Sequence, residues 1–120
     1  MEQKYQVTVI TQNVDDLHER AGSTNVIHLH GELKKCRSVI DATKVFDYHY
    51  PLQIGDLAPD GGQLRPHIVW FGEEVTEIDL AIEVTQTADL FVIIGTTMQV
   101  QPAASSLFIL LVNAPLLIKF

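Results

Sequence analysis

Residues 11–31, TQNVDDLHERAGSTNVIHLHG, collect side chains able to hold a polar ligand and to move a proton. Gln12, Asn13, Asp15 and Asp16 follow directly on Val7, Thr8, Val9 and Ile10, an apolar and β-branched run that reads as a buried strand. Amides and carboxylates thus sit at the carboxyl end of a strand. In open α/β sheets ligands bind there, because loops converge and the next helix offers its positive end. A second apolar run, residues 26–29, reads as another strand and delivers His30 and Gly31. An imidazole with its ordinary pKa near 6.5 takes a proton at neutral pH without extreme tuning.

These groups need elements to position them. Residues 14–21 read as a short helix stopped by Gly22, with His18 on its polar side. Judged by residue type alone, Asn13 or Asp15 would serve as the cap of that helix. His28 and His30 lie two apart, on the same side of their strand, but no third or fourth ligand follows at a usable spacing, so no metal is expected there. From residue 32 to residue 64 the periodicity fades, and Pro51, Gly55, Pro59, Asp60, Gly61 and Gly62 punctuate a small loop-rich insert. Asp47, His49 and Asp56 in it read as a solvated loop face.

Regular structure returns at Ile68 and Val69, a short strand in which Trp70 and Phe71 would be core aromatics. Residues 76–88 have the pattern of an amphipathic helix, with Thr76 and Asp79 spaced as a capping box. Residues 90–94 are continuously apolar, as in a strand buried on both faces, and end in Gly95, Thr96 and Thr97. Hydroxyls and N–H groups at such a point suit ribose and phosphate oxygens. Pro102 is placed to start an apolar helix over 103–112, and 115–120 reads as a last strand. The expected fold is α/β, a partial Rossmann-like, mostly parallel sheet with a small loop-rich insert. Residues 1–32 and 66–120 would form the sheet domain and 33–65 the insert.

Composition narrows the function classes. In 120 residues, 47% of them apolar, there is room for one small core. Eight basic against fifteen acidic residues, net −7, argue against direct nucleic-acid binding, which needs a basic face, and are compatible with attraction of lysine-rich protein segments. One cysteine, Cys36, cannot make an intrachain disulfide and suits a reducing compartment. The apolar run 107–112 is too short to span a bilayer, so a cytoplasmic protein without membrane partners is expected.

The string TQN-V-D-x-LH-x-x-AG, the apolar run ending in HG, RPHIVWFGE (65–73) and GTTMQVQPAA (95–104) resemble, in order, blocks of the sirtuin (silent information regulator) family of NAD-dependent protein deacylases. The resemblance runs from about Val7 to about Ala104. It implies removal of an acyl group from protein lysine with NAD as co-substrate, yielding nicotinamide and O-acyl-ADP-ribose, in a protein of the transcriptional-regulator type. It implies further that Gln12 and Asn13 line the ribose and nicotinamide pocket, and that Val14 and Asp15 hold the carboxamide. His30 would be the catalytic base, taking a ribose hydroxyl proton, with Asn13 positioning the ribose or a water. Gly95, Thr96 and Thr97 would contact NAD, while Val69, Trp70, Phe71 and Gly72 on one side and Val100 on the other would hold an extended acyl-lysine peptide as an added strand. Mono-ADP-ribosyl transfer and a noncatalytic interaction module are the alternatives.

Two departures from the family pattern stand out. Most sirtuins carry four zinc cysteines in the insert; this chain has Cys36 alone, so no zinc is expected, the module having degenerated or given way to packing of Phe46, Tyr48, Tyr50 and Leu52. No glycine-rich turn precedes Val7, so the chain looks truncated, with NAD binding by these residues alone expected to be weak or absent.

Overall fold

The computed structural model describes residues 4–48, 51–95 and 117–119. They fall into two compact units, Met1–Glu73 and Glu74–Phe120. In the first unit the apolar run becomes β1 (Val9–Thr11), followed by α1 (Leu17–Arg20) and β2 (Val26–His28). β1 and β2 pair in parallel, Ile10 opposite Ile27 and Thr11 opposite His28, and Leu29 N–H extends the ladder to the Thr11 carbonyl at 2.9 Å. This register sets the amide loop beside the histidine pair. Leu29, 1% exposed, anchors it, a burial of the kind that contributes roughly 1.5–3 kcal/mol.

α1 is shorter than the helical pattern suggested, because side chains claim the backbone ahead of it. Leu17 N–H donates to the Asp15 carboxylate (3.1 Å) and Asn13 N–H to the Thr11 hydroxyl (3.0 Å), which favours turns over a first helical turn. The helix stops where expected. Gly22, at φ +99, lets Ser23 N–H reach the His18 carbonyl (3.0 Å) and Gly22 N–H the Glu19 carbonyl (2.9 Å), the paired bonds of a Schellman end.

The stretch expected to be loop-rich contains a long strand. β3 (Gly31–Ser38) is the centre of an antiparallel sheet in the order β4-β3-β5, with β4 (Val45–Asp47) and β5 (Leu64–Ile68) on its two sides. The β5 pairing is interrupted by a register shift between Glu32 and Cys36, and Pro66 is tolerated because β5 is an edge strand. The sequence ELKKCRS hides β3 because Lys34 and Arg37 find their partners, Asp16 and Glu73, far along the chain. Cys36, Ser38 and Ala58 are buried, whereas Phe46, Tyr48 and Leu52 are only half-buried; Tyr50 and His49 lie outside the described residues.

Polar side chains tie the insert's loops together. Ser38 Oγ donates to Asp60 (2.9 Å), whose same oxygen accepts Gly62 N–H (2.9 Å). The Gln63 amide accepts from Gly55 N–H (2.8 Å) and reaches the carbonyls of Gln53 (3.0 Å) and Asp56 (3.1 Å). Asp56 caps Gln53 N–H at 2.8 Å, a local turn contact.

In the second unit, α2 (Ile78–Gln86) precedes β6 (Phe91–Ile93), which pairs in parallel with β7 (Leu117–Lys119). The helix begins at Glu77 without a side-chain cap, so the Thr76–Asp79 capping box does not form. Ala81 and Thr85 are its buried residues, and the Thr85 hydroxyl is satisfied by the Ala81 carbonyl at 2.8 Å. β6 buries Ile93 but leaves Val92 38% exposed, so it is not buried on both faces. The expected helix over 103–112 lies outside the described residues. Parallel pairing of β1 with β2 and of β6 with β7, beside the antiparallel β4-β3-β5 sheet, makes the chain α/β and Rossmann-like in class.

Candidate functional site

Three consecutive carbonyls of the amide loop are each held from the segment 28–33. Gln12 C=O accepts from His30 Nδ1 (3.1 Å), Asn13 C=O from His28 Nδ1 (3.0 Å), and Val14 C=O from Leu33 N–H (2.8 Å). A carbonyl can only accept, so both histidines carry a proton on Nδ1. In the neutral ring of His30 this makes Nε2 the acceptor nitrogen, and among the described residues that nitrogen has no partner. His30 is therefore oriented as a proton acceptor by the same loop whose amides it borders.

His28 differs from its neighbour. Its Nε2 stands 2.8 Å from Glu19 Oε1, so with Nδ1 already donating, the ring makes both contacts as donors only when it is an imidazolium. Burial lowers the His28 pKa, but the Glu19 carboxylate and the Asn13 carbonyl outweigh it and raise the value above 6.5. Glu19 is held below its usual 4.5 by the His28 hydrogen bond. Neither residue was singled out from the sequence for this contact, and the α1 residue that meets the strand histidine became visible only on folding.

Outward-facing groups of the loop remain available. Asn13 is exposed, and among the described residues its side-chain amide, the Val14 N–H and Asp15 Oδ2 have no hydrogen-bond partner. An open depression of about 240 Å³ lies on the His28 side of the loop, bounded by Val14, Asp15, Glu19, Glu32, Lys34 and Asp47 among others. Most of its charges are internally paired: Lys34 with Asp16, Lys35 with Glu32 and His28 with Glu19. His30 does not line it. The histidine's setting follows from its hydrogen bonds rather than from this concavity.

Gly31 brings a second segment to His30. Its φ of +80 and the His67 carbonyl, 2.0 Å from where a Cβ would sit, leave space for glycine alone. This close approach lets Val69 N–H donate to the His30 carbonyl at 2.9 Å. Beyond Val69 the chain turns instead of extending: Glu73 N–H donates to the Trp70 carbonyl (3.0 Å), and Gly72 adopts φ +88. Trp70 and Phe71 are 58% and 99% exposed, so they are surface groups and not core aromatics.

Glu73 closes this turn. Its carboxylate accepts from Arg37 Nη2 (2.9 Å), from both Arg65 terminal nitrogens and from Trp70 N–H (3.0 Å). Arg65 first, then the Trp70 amide, hold its pKa down at about 2. The Arg–Glu bracket around an apolar run in RPHIVWFGE was the available signal; its third member, Arg37, comes from β3. Gly95, exposed at φ +69, follows β6 in the second unit. Thr96, Thr97 and Val100 lie outside the described residues. Among the described residues no group of three His, Cys, Asp or Glu side chains is placed to hold a metal.

Comparison with known proteins agrees with this architecture. Residues 1–102 match the family model described as "Sir2 family". An NAD-dependent protein deacylase of Helicobacter pylori is 55% identical over 105 residues, covering 88% of this chain and 45% of the relative. A solved Sir2 homologue in complex with NAD superimposes with a TM-score of 0.77 at 42% identity, over 94% of this chain and 46% of that one. A Sir2–p53 peptide–NAD+ structure gives 0.74 at 31% identity, over 98% and 52% respectively. The chain thus spans about half the length of the relatives it matches, and on the extent of the family match and the identity of its relatives, it belongs to the Sir2 family.

Proposed function

We propose that the protein is an NAD-dependent protein lysine deacylase that forms nicotinamide and O-acyl-ADP-ribose, with His30 as its general base. One observation carries this reading: the His30 Nδ1–H bond to the Gln12 carbonyl, which leaves Nε2 as an acceptor beside an amide loop with unpaired outer groups. NAD, as co-substrate, supplies a ribose carbon made electrophilic by loss of nicotinamide. The donor set fits such a ligand. Val14 N–H and Asp15 Oδ2 offer one donor and one acceptor, the complement of a carboxamide. Gln12 and the Asn13 amide orient the ribose or a water, His30 Nε2 takes a ribose hydroxyl proton, and Gly95, Thr96 and Thr97 supply N–H and hydroxyl groups to the cofactor.

The acyl-lysine segment of a protein substrate binds along Val69, Trp70, Phe71 and Gly72, and the family resemblance assigns Val100 to the same substrate. Unpaired main-chain groups at Val69 C=O, Phe71 and Gly72 among the described residues support this, as does the peptide present in the related Sir2–p53 complex. Residues 1–32 and 66–120 form the Rossmann-like NAD-binding part and 33–65 the inserted module. The net charge of −7 favours lysine-rich substrate segments over nucleic acid. No helix among the described residues is long and apolar enough to cross a membrane; a place in the cytoplasm and a role of the transcriptional-regulator type belong to this proposal on the family resemblance.

Incubation with NAD and an acyl-lysine peptide, beside a His30→Ala control, tests the assignment by mass spectrometry. Deacylated peptide is expected from the full-length protein, with the control lower by about 10²- to 10⁴-fold. Equal activity in the two removes His30 from its role, and ADP-ribose found on protein in place of deacylated peptide points to transfer chemistry.

A further inference from the structure

Two arginines face one another across the antiparallel sheet: Arg37 of β3 is the register partner of Arg65 of β5. Like charges placed opposite each other repel, and Arg37, only 7% exposed, has little water to screen it. Both are reconciled by one carboxylate. Glu73 Oε2 accepts from Arg37, Arg65 and Trp70 N–H, and Arg65 completes a two-pronged contact through Oε1. The same guanidinium groups donate to the Ile68 carbonyl at 3.3 and 3.0 Å, the last of β5.

These bonds bracket the Trp70–Gly72 turn from both ends. Apolar burial cannot set its shape, because Trp70 and Phe71 lie mostly in solvent. One residue before Trp70, Val69 N–H is fixed to the His30 carbonyl. We infer that Glu73, clasped by Arg37 and Arg65, is a positioning residue that holds the Trp70–Gly72 turn in the geometry that receives the residues flanking a substrate acyl-lysine, in register with His30. The inference rests on the peptide-binding reading above and adds to it the device that presents the turn. Glu73 touches no reacting atom; it acts through the turn.

The test uses the full-length protein and two substrates: an acyl-lysine peptide with several residues on each side, and a blocked acyl-lysine without neighbours. In Glu73→Gln, one face of the clasp presents an NH₂ to two guanidinium groups. Its loss of kcat/KM on the long peptide should exceed its loss on the blocked lysine by about tenfold, expressed in the KM for peptide, with the KM for NAD little moved. Arg65→Lys, which keeps the charge and loses the fork, should show the same split more weakly and serves if Glu73→Gln does not fold. Equal losses on both substrates, or none on either, overturn the positioning role alone. A wild-type protein that does not prefer the long peptide overturns the peptide-binding reading itself and the inference with it.

Discussion

The two segments that meet at His30 are held by opposite chemistries. The Gln12–Val14 loop hangs from imidazoles, with His28 and His30 donating to successive carbonyls, whereas the Trp70–Glu73 turn is clamped by guanidinium groups on a carboxylate. Guanidinium stays charged at any working pH, and Glu73, with its pKa near 2, stays ionised with it. In the imidazole clamp the Glu19 carboxylate and the Asn13 carbonyl outweigh burial and raise the His28 pKa above 6.5. The amide loop is thus tied in part by a side chain whose charge depends on pH, and the turn proposed to bind peptide by groups that stay charged.

The most severe break in the comparison is His30→Ala, which removes both the Gln12 tether and the free Nε2. It should reduce turnover by about 10²- to 10⁴-fold on long and minimal substrates alike, unlike Glu73→Gln, and steady-state kinetics on both substrates will show which pattern holds. Gly31→Ala attacks the joint between the two segments. A methyl group 2.0 Å from the His67 carbonyl at φ +80 should destabilise the first unit by roughly 3 kcal/mol or more, measured by denaturant unfolding.

Arg37→Met should be milder, since Glu73 keeps Arg65 and is itself partly solvated. A loss of about 2 kcal/mol is expected, with a larger relative loss on long peptides than on the blocked lysine. The smallest effect is the pH dependence. Because the folded pKa of His28 is raised above 6.5, its contribution is complete below that value and is lost as pH rises through the folded pKa. Glu19, depressed below 4.5, contributes above 4.5 and loses that contribution as pH falls through its folded value. The stability gap between wild type and His28→Gln should therefore be widest from 4.5 to 6.5 and narrow toward alkaline pH, by about 1 kcal/mol or less with Glu19 partly in water. Glu73, lowered from 4.5 to about 2, contributes fully above 4.5, so the gap for Glu73→Gln should stay flat over the same range.

Much of this arrangement was legible in the residues. β2, α2, β6 and β7 lie within stretches whose pattern announced them, β1 overlaps its expected run and extends to Thr11, and Gly22 ends α1 as its type requires. β3 was not legible, because Arg37 and Lys35 in its middle look like solvent residues until Glu73 and Glu32 are beside them. Trp70 and Phe71 misled in the other direction: aromatic bulk suggests a core, but the clasp turns the chain before they can enter one.

By itself the sequence determined residue type and local order: amides at a strand end, a glycine after His30, and an Arg–Glu bracket around an apolar run. Tertiary structure alone decided which nitrogen of His30 is spent on the Gln12 carbonyl, 18 residues away, and that Arg37 reaches Glu73 across 36. A hydrogen bond exists only within about 3 Å and near its axis, and spacing along the chain does not fix that distance for groups so far apart.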